Sequence, residues 1–453
     1  MENTIVALAT PTGRSGIGVV RLSGGGGLEI VRRLAADPEF APEPRRAHLK
    51  KIRDLSTGEI LDEAIVTYFK APNSFTGEDV FEIAAHGSPV VLRQIIDFCL
   101  QLDARLAEPG EFTLRALAHG RINLSQAEAV RDLIDAQTIA SARQSVRQLR
   151  GEFSNQLQPI KDDLLSVIIV LESALEFVED DLPEFQTERI KNDLRRIVTR
   201  LSQMAGTYRA GRLIREGLKV ALVGRPNVGK SSLFNVLLGE ERAIVTDIAG
   251  TTRDQLHEKF TIDNIPISLI DTAGLRETAD TVESIGVERS RRTMADADLV
   301  VVLLDGSQPL TAEDREILQD TAEFNRLIAV NKIDLVGPRP FENDFSLLGN
   351  PVAYVSAKTG SGLDDLQKAI VEPFRLNETE SAGFLVSDAR HHDLLRRAEG
   401  EINDSISLLE QKLSEEFVLI GLHNALRYLG QITGETTTED MLTRIFSTFC
   451  IGK

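Results

Sequence analysis

The sequence predicts a multidomain chain: an α+β N-terminal domain, then an all-α helical domain, and inserted into the helical domain an α/β domain built on a phosphate-binding loop. Three observations predict it. Residues 1–120 alternate short strand-like runs with helical ones, and from Ser125 the pattern changes to long helical stripes. Farther on, the apolar run Lys219-Val220-Ala221-Leu222-Val223 leads into Gly224-Arg225-Pro226-Asn227-Val228-Gly229-Lys230-Ser231, then into helical spacing at Leu233, Phe234, Val236 and Leu237. At 453 residues the chain has room for two or three separate cores.

In chain order, Ile5–Ala9 and Ile17–Leu22 read as strands bridged by the turn-rich Thr10–Gly16. His48–Asp54 and Ile60–Phe69 flank Ser56-Thr57-Gly58 as a hairpin, Asp79–Ala85 is a further strand, and Val90–Leu102 a helix. In the helical region Ser125 and Glu128 have capping-box spacing. Ile190, Leu194, Ile197, Leu201 and Met204 form a stripe, and the acidic Glu179–Glu184 separates two helical arms. Gly217 marks the entry to the α/β domain, which a helix from Gly362 to about Pro373 closes. A helical stripe restarts at Leu394, Leu395, Ala398, Ile402, Ile406 and Leu409, followed by helices over Glu415–Gln431 and Thr437–Phe446, the last capped by Thr436 with Glu439. The expected domains are therefore 1–120, 121–216, 217–378 and 379–453, the second and fourth being halves of one helical domain. Two unrelated helical pieces are the alternative.

Composition narrows the function classes. With 51 basic and 69 acidic residues the net charge is -18, so no global positive field draws nucleic acid in, and any RNA contact is local or shared with a partner. Two distant cysteines, Cys99 and Cys450, argue against a disulfide framework and a four-thiolate metal site, and fit a reducing, cytoplasmic setting. Met1-Glu2-Asn3-Thr4 opens no leader pattern, and no apolar run is long enough for a membrane span, so a soluble protein is expected.

The motifs carry the chemistry. Glycines at 224 and 229 let the backbone curl so that its N–H groups converge on phosphate oxygens at a helix N-terminus. Lys230 reaches the outer phosphates, and Ser231 offers its hydroxyl to magnesium. Asp271-Thr272-Ala273-Gly274 follows the apolar strand Ile265–Ile270, setting a carboxylate where it can hold magnesium and a glycine amide near a γ-phosphate. Asn331-Lys332-Ile333-Asp334 follows Leu327–Val330. The Asp334 carboxylate can accept two hydrogen bonds from guanine that adenine cannot supply, and leaving a buried carboxylate unpaired costs a few kcal/mol. Ser356-Ala357-Lys358, after Val352–Val355, completes a base pocket. These motifs in this order at strand ends predict a Ras-like P-loop GTPase domain, with GTP as substrate.

Further segments carry a resemblance over the whole chain. Ala7-x-x-Thr10-Pro11-x-Gly13-Arg14-x-Gly16-Ile17-Gly18, Pro72-Asn73-Ser74-Phe75-Thr76-Gly77-Glu78-Asp79, Pro109-Gly110-Glu111-Phe112-Thr113 and the terminal Phe449-Cys450-Ile451-Gly452-Lys453 resemble the tRNA modification GTPase MnmE (TrmE) family. That resemblance implies a homodimer whose N-terminal domain is similar to folate-binding aminomethyltransferase domains. It also implies work with the flavoprotein MnmG in building an aminomethyl-type substituent on the wobble uridine of certain tRNAs. By resemblance the contacts to 5-formyl-tetrahydrofolate fall on Arg21, Glu78, Arg121 and Lys453. Arg121 departs from the family's usual lysine: the charge is kept but not its point geometry. Cys450 is open between a nucleophile that adds to the uracil ring and a small apolar packing residue.

For the GTPase, Leu275 stands where Ras-like enzymes carry a water-orienting glutamine. The resemblance gives that task to Glu283, within the charged segment 276–288. It also implies potassium, held by Asn227 and by Thr246, Ile248 and Thr251, with Thr252 and Ser231 on magnesium. The neutral, hard amide oxygen of Asn227 suits such an ion. Implied nucleotide contacts are Asn227, Val228, Gly229, Lys230, Ser231, Ser232, Thr246, Thr251, Thr252, Asp271, Thr272, Ala273, Gly274, Asn331, Lys332, Asp334, Ser356, Ala357 and Lys358. The alternative is a regulatory GTPase of ribosome assembly or RNA binding. The acidic flanks and folate-like N-terminal region weigh against it, because RNA-docking GTPases usually append a basic domain. A weaker alternative makes the N-terminal domain a folate-dependent methyltransferase.

Overall fold

The computed structural model describes residues 3–177, 184–240, 257–263, 265–271, 294–336, 351–374, 383–435, 442, 445–450 and 452. The chain divides into two compact units, one of residues 1–134, 146–197 and 397–453, the other of 135–145 and 198–396.

The first unit opens with a mixed sheet. Among the described residues its strands are β1 (Ile5–Leu8), β2 (Ser15–Ser23), β3 (Ala47–Arg53), β4 (Ile60–Phe69), β5 (Val80–Gly87) and β6 (Arg105–Leu106), in the order β3-β4-β5-β2-β1-β6. The expected hairpin is present: β3 pairs antiparallel with β4 from Ala47 opposite Thr67 to Arg53 opposite Ile60. One face is covered by α1 (Gly27–Ala35) and α2 (Pro89–Gln101), whose Ile30, Val31, Leu34, Leu92, Ile95, Phe98 and Cys99 pack on Val20, Leu22, Phe81 and Ile83. α3 (Glu111–Ala118) and α4 (Leu124–Ile134) follow. The capping-box expectation needs one correction. Ser125 lies inside α4, and the reciprocal pair is Asn123 with Gln126: the Gln126 amide N–H donates to Asn123 Oδ1 at 3.0 Å, and the Asn123 N–H to Gln126 Oε1 at 2.9 Å.

Long helices complete this unit. α5 (Ile139–Leu149) is shared between the two units; α6 (Glu152–Phe177) and the first part of α7 (Glu184–Gly206) belong to the first. On α6, Phe153, Leu157, Ile160, Leu164, Ile168 and Leu171 are buried at helical spacing. The stripe expected on α7 is observed as well, with Ile190, Leu194, Ile197 and Leu201 buried. The Thr436–Glu439 cap lies outside the described residues.

The second unit begins its α/β part after α8 (Tyr208–Glu216). Its strands are β7 (Leu218–Val223), β8 (His257–Ile262), β9 (Ile265–Asp271), β10 (Leu299–Asp305), β11 (Arg326–Asn331) and β12 (Val352–Tyr354), in the order β12-β11-β10-β7-β9-β8. Only β8 runs antiparallel among these. The period-2 alternation of a strand covered on both faces is visible in β10. Leu299, Val301 and Leu303 join one apolar cluster, and Val300, Val302 and Leu304 the other. α9 (Lys230–Glu240) follows β7, α10 (Ala312–Asp320) lies between β10 and β11, and α11 (Leu363–Val371) follows β12. α12 (Ala389–Glu410) begins in the second unit and ends in the first, and α13 (Glu415–Thr433) belongs to the first, where it packs on α6.

Candidate functional site

The sheet order of the second unit brings the sequence motifs together. From β7 the chain goes first to β8 and β9 on one side, then crosses to β10 on the other, so a crevice opens at the carboxyl ends of β7 and β10. The phosphate-type loop leaves β7, Asp271 ends β9 opposite Leu222, Asn331 ends β11 opposite Asp305, and Ser356 follows β12. All four segments therefore share one edge of the sheet.

Hydrogen bonds lock these loops to one another. Asn331, 2% exposed, donates from Nδ2 to Val228 O at 2.8 Å and accepts at Oδ1 from the Ala357 N–H at 2.9 Å. One amide thereby ties the phosphate loop to the base-pocket loop. Gly229 is required where it stands: its φ is +101°, and a Cβ there would run into the Asn331 amide. Asn227 and Lys332 also take left-handed backbone, at φ +63° and +67°. Lys332 Nζ donates to Asn227 O at 2.9 Å and to Asp305 Oδ2 at 2.7 Å. The Lys230 ammonium lies across the loop, donating to Gly224 O at 2.6 Å and Arg225 O at 2.9 Å. Ser231 and Ser232 are exposed in the first turn of α9. Asp334 is exposed too, contrary to the burial assumed from the sequence, and accepts the Ser356 hydroxyl at 2.7 Å. Lys358 is exposed beside the buried Ala357. Thr246, Ile248, Thr251, Thr252, Thr272, Ala273, Gly274, Leu275 and Glu283 lie outside the described residues.

Two carboxylates here escaped the sequence reading. Asp305, 5% exposed, takes Lys332, the Ser307 N–H and hydroxyl, and Gln308. Burial works against its charged form, but the hydrogen bonds from Lys332, Ser307 and Gln308 outweigh it and hold the carboxyl down at about 2. Asp314 receives Arg225 Nε at 3.2 Å and also closes a capping box with Thr311 at the start of α10. The available signal was an aspartate ending the apolar run Leu299–Leu304, as Asp271 ends its own.

In the first unit, two of the folate candidates lie along β2, Arg21 directly and Glu78 through its bond to Ser23. Arg21 on β2 donates from Nε and Nη2 to Glu82 Oε1 at 2.9 and 2.7 Å and from Nη1 to Gly452 O at 3.2 Å, with its guanidinium carbon 5.8 Å from the Phe112 ring centroid. The C-terminal segment is thus drawn alongside Arg21. Phe446 and Phe449 hold it there, packing with Ala127, Leu114, Leu117 and Ile122. Glu78 Oε2 accepts the Ser23 hydroxyl at 2.7 Å and Arg115 Nη1 at 2.8 Å. Arg115, 1% exposed, further donates to Glu111 Oε1 at 3.0 Å and Asn3 O at 2.9 Å. Burial opposes ionisation of Glu111, but Arg105, the Glu108 N–H and Arg115 together bring its pKa below the usual value. Arg121 is exposed, its Cγ near Gly77. Lys453 lies outside the described residues. Cys450 is exposed, whereas burial pushes the Cys99 thiol up to about 12.

Comparison with known proteins covers the whole chain. Residues 4–121 match the family described as GTP-binding protein TrmE N-terminus, and residues 124–450 the MnmE helical domain. The chain is 44% identical over 455 residues to the tRNA modification GTPase MnmE of Aquifex aeolicus, covering all of both chains, and 43% identical to that of Koribacter versatilis at the same coverage. Among solved structures, the G domain of the T. maritima FeoB iron transporter aligns at 33% identity and a TM-score of 0.28, covering 35% of this chain and 99% of that one. With a family model matched from residue 124 to 450 and full-length relatives above two-fifths identity, the chain belongs to the MnmE (TrmE) family of tRNA modification GTPases.

Proposed function

We propose that the chain hydrolyses GTP to drive a step of tRNA modification, and that with the flavoprotein MnmG it adds an aminomethyl or carboxymethylaminomethyl group to carbon 5 of a wobble uridine. The observation that carries the first half is the Asn331 amide, bonded at once to the phosphate loop and to the base-pocket loop. Such a clasp holds phosphate donors and base acceptors at a fixed separation, so binding energy goes into orientation. Lys230 moves from the loop carbonyls to the outer phosphates, and the backbone amides of Val228, Gly229, Lys230, Ser231 and Ser232 receive the remaining charge. Asp334 and the Ser356–Lys358 loop select guanine.

Hard oxygens suit both expected ions. Ser231, whose residue is exposed in the first turn of α9, would hold magnesium with Thr252. Asn227, exposed at the crown of the loop with its carbonyl already engaged by Lys332, would offer its amide oxygen to potassium with Thr246, Ile248 and Thr251. When bound, these ions neutralise charge on the transferring phosphoryl group. Glu283 orients the attacking water. In the N-terminal domain Arg21, beside Phe112, and Glu78, both half-buried, are polar enough to grip a folate such as 5-formyl-tetrahydrofolate, with Arg121 and Lys453 as its further contacts. We further infer a homodimer working in the cytoplasm; among the described residues no helix is long and apolar enough to cross a membrane.

The test is mass spectrometry of tRNA from a strain lacking this chain, alone and complemented. Loss of the wobble-uridine substituent and its return on complementation are expected, and an unchanged wobble uridine would reject the reading. Hydrolysis should be faster in potassium than in sodium at matched ionic strength, and equal rates would remove potassium from the mechanism.

A further inference from the structure

Two cationic side chains of the nucleotide site, Lys332 and Arg225, approach a single carboxylate, Asp305. Lys332 bonds Asp305 at 2.7 Å, and its backbone is left-handed, a conformation that a lysine adopts only where its surroundings enforce it. The same ammonium bonds the carbonyl of Asn227, itself left-handed. From the other side comes Arg225 of the phosphate loop. Its Nε is taken by Asp314, but its Nη2 is buried with no hydrogen-bond partner and faces Asp305 Oδ2 at 3.7 Å. A buried guanidinium nitrogen left without an acceptor is costly, and the nearest acceptor is a few tenths of an ångström beyond bonding distance.

We propose that Asp305 is a positioning residue that sets the register between the phosphate loop and the guanine loop, acting as the common counterion of Lys332 and Arg225. In this role Asp305 acts on the nucleotide only through Lys332 and Arg225. It stands at the end of β10, beside Asn331 in the register and between the two loops, where Ser307 aims its carboxylate. Through Lys332 it fixes the turn that carries Asp334, and through Arg225 and the Asn227 carbonyl it fixes the crown of the phosphate loop. A ligand that grips both loops gains from that register; one that grips mainly the phosphate loop gains little. The inference rests on the GTP reading of this site and names a determinant of its guanine selectivity.

The test uses the full chain and stopped-flow release of fluorescent GDP and of the matching inosine diphosphate, which lacks the 2-amino group that Asp334 would accept. For the unmodified chain, inosine diphosphate should leave faster. In Asp305→Asn, GDP release should accelerate roughly tenfold, a factor corresponding to about 1.4 kcal/mol, while release of inosine diphosphate changes little, so that the ratio falls towards one. A purely structural role would accelerate both equally and keep the ratio, and that result, or unchanged GDP release, would overturn the proposal. Ser307→Ala keeps the charge and removes one hydrogen bond that aims it. It should lower the ratio by less, and it decides the matter alone if Asp305→Asn fails to fold: an unchanged ratio then overturns the proposal. If the unmodified chain retains neither nucleotide, the GTP reading itself falls and takes the role of Asp305 with it.

Discussion

Removing Arg115 should loosen the N-terminal sheet by a large and local amount. The guanidinium is 1% exposed and bonds Glu78 at 2.8 Å, Glu111 at 3.0 Å and the Asn3 carbonyl at 2.9 Å. Arg115→Met fills much of the volume but strips those three acceptors of their donor. Glu111 keeps Arg105, and Glu78 keeps only the Ser23 hydroxyl and what water can reach it. Breaking one side of a buried ion pair costs about 3 kcal/mol, equivalent to roughly a hundredfold in an opening equilibrium. The loss should be read as hydrogen-exchange rates at the amides of β1 and β2, because Arg115 pins the chain at Asn3 just before β1 and holds Glu78 to Ser23 at the end of β2. The pH dependence has a definite sign. Glu111 has a lowered folded pKa, so its contribution is full above the unfolded carboxyl value of about 4.3 and is lost as pH falls towards the folded value. The deficit of Arg115→Met should therefore be largest near neutral pH and shrink below about pH 4. Exchange at Ile5–Ala7 and Val20–Leu22 within a factor of about three of the unmodified chain would refute the assignment of Arg115 as the anchor of this sheet.

Asp334→Asn should weaken GTP roughly a hundredfold and favour xanthosine triphosphate, whose 2-oxo group matches the new amide; competition binding would reveal it, and undiminished GTP affinity would contradict it. Gly229→Ala forces an alanine to φ +101° with its Cβ against the Asn331 amide, so GDP retention should be lost while the circular dichroism spectrum stays native. Iodoacetamide at pH 8 should label Cys450 and spare Cys99, whose thiol burial pushes up to about 12, until the chain is unfolded; peptide mass spectrometry showing equal labelling would refute the packing around α2.

The parts of the fold legible in the sequence were those set by short-range periodicity. The β3–β4 hairpin and the stripe on α7 follow from alternation of two or 3.6 residues, which any window of the chain contains. The nucleotide motifs were legible because each needs its own backbone conformation within a few residues. What stayed hidden depends on partners far along the chain. Arg115 reads as an ordinary i, i+4 surface partner of Glu111, and only the fold adds Glu78 and Asn3, which bury it. Arg21 meets the carbonyl of Gly452 across 431 residues of sequence, a distance no local pattern spans. The predicted cap of α4 failed for a smaller reason. Asn123 and Gln126 satisfy the same reciprocal chemistry as Ser125 and Glu128, and the choice turned on where the chain leaves α3.

Within the second unit, the segment that leads into the α/β part is bonded to residues 386–392. The Val386 N–H donates to the Thr207 hydroxyl at 2.9 Å, Arg215 bonds Asp388 at 2.7 Å, and the rings of Tyr208 and His392 stack with centroids 4.3 Å apart. At Gly211 the helix α8 lies so close to the backbone of Val386 that no side chain would fit between them. Arg212 pairs with Asp298, and Asp298 Oδ2 accepts the Lys219 N–H at 3.0 Å, on the strand β7 that delivers the phosphate loop. Rotation about the entering segment alone would break its bonds to residues 386–392. A shift of β7 at the phosphate loop would therefore act on Asp298 and α8 and, through their bonds, on residues 386–392 of the same unit.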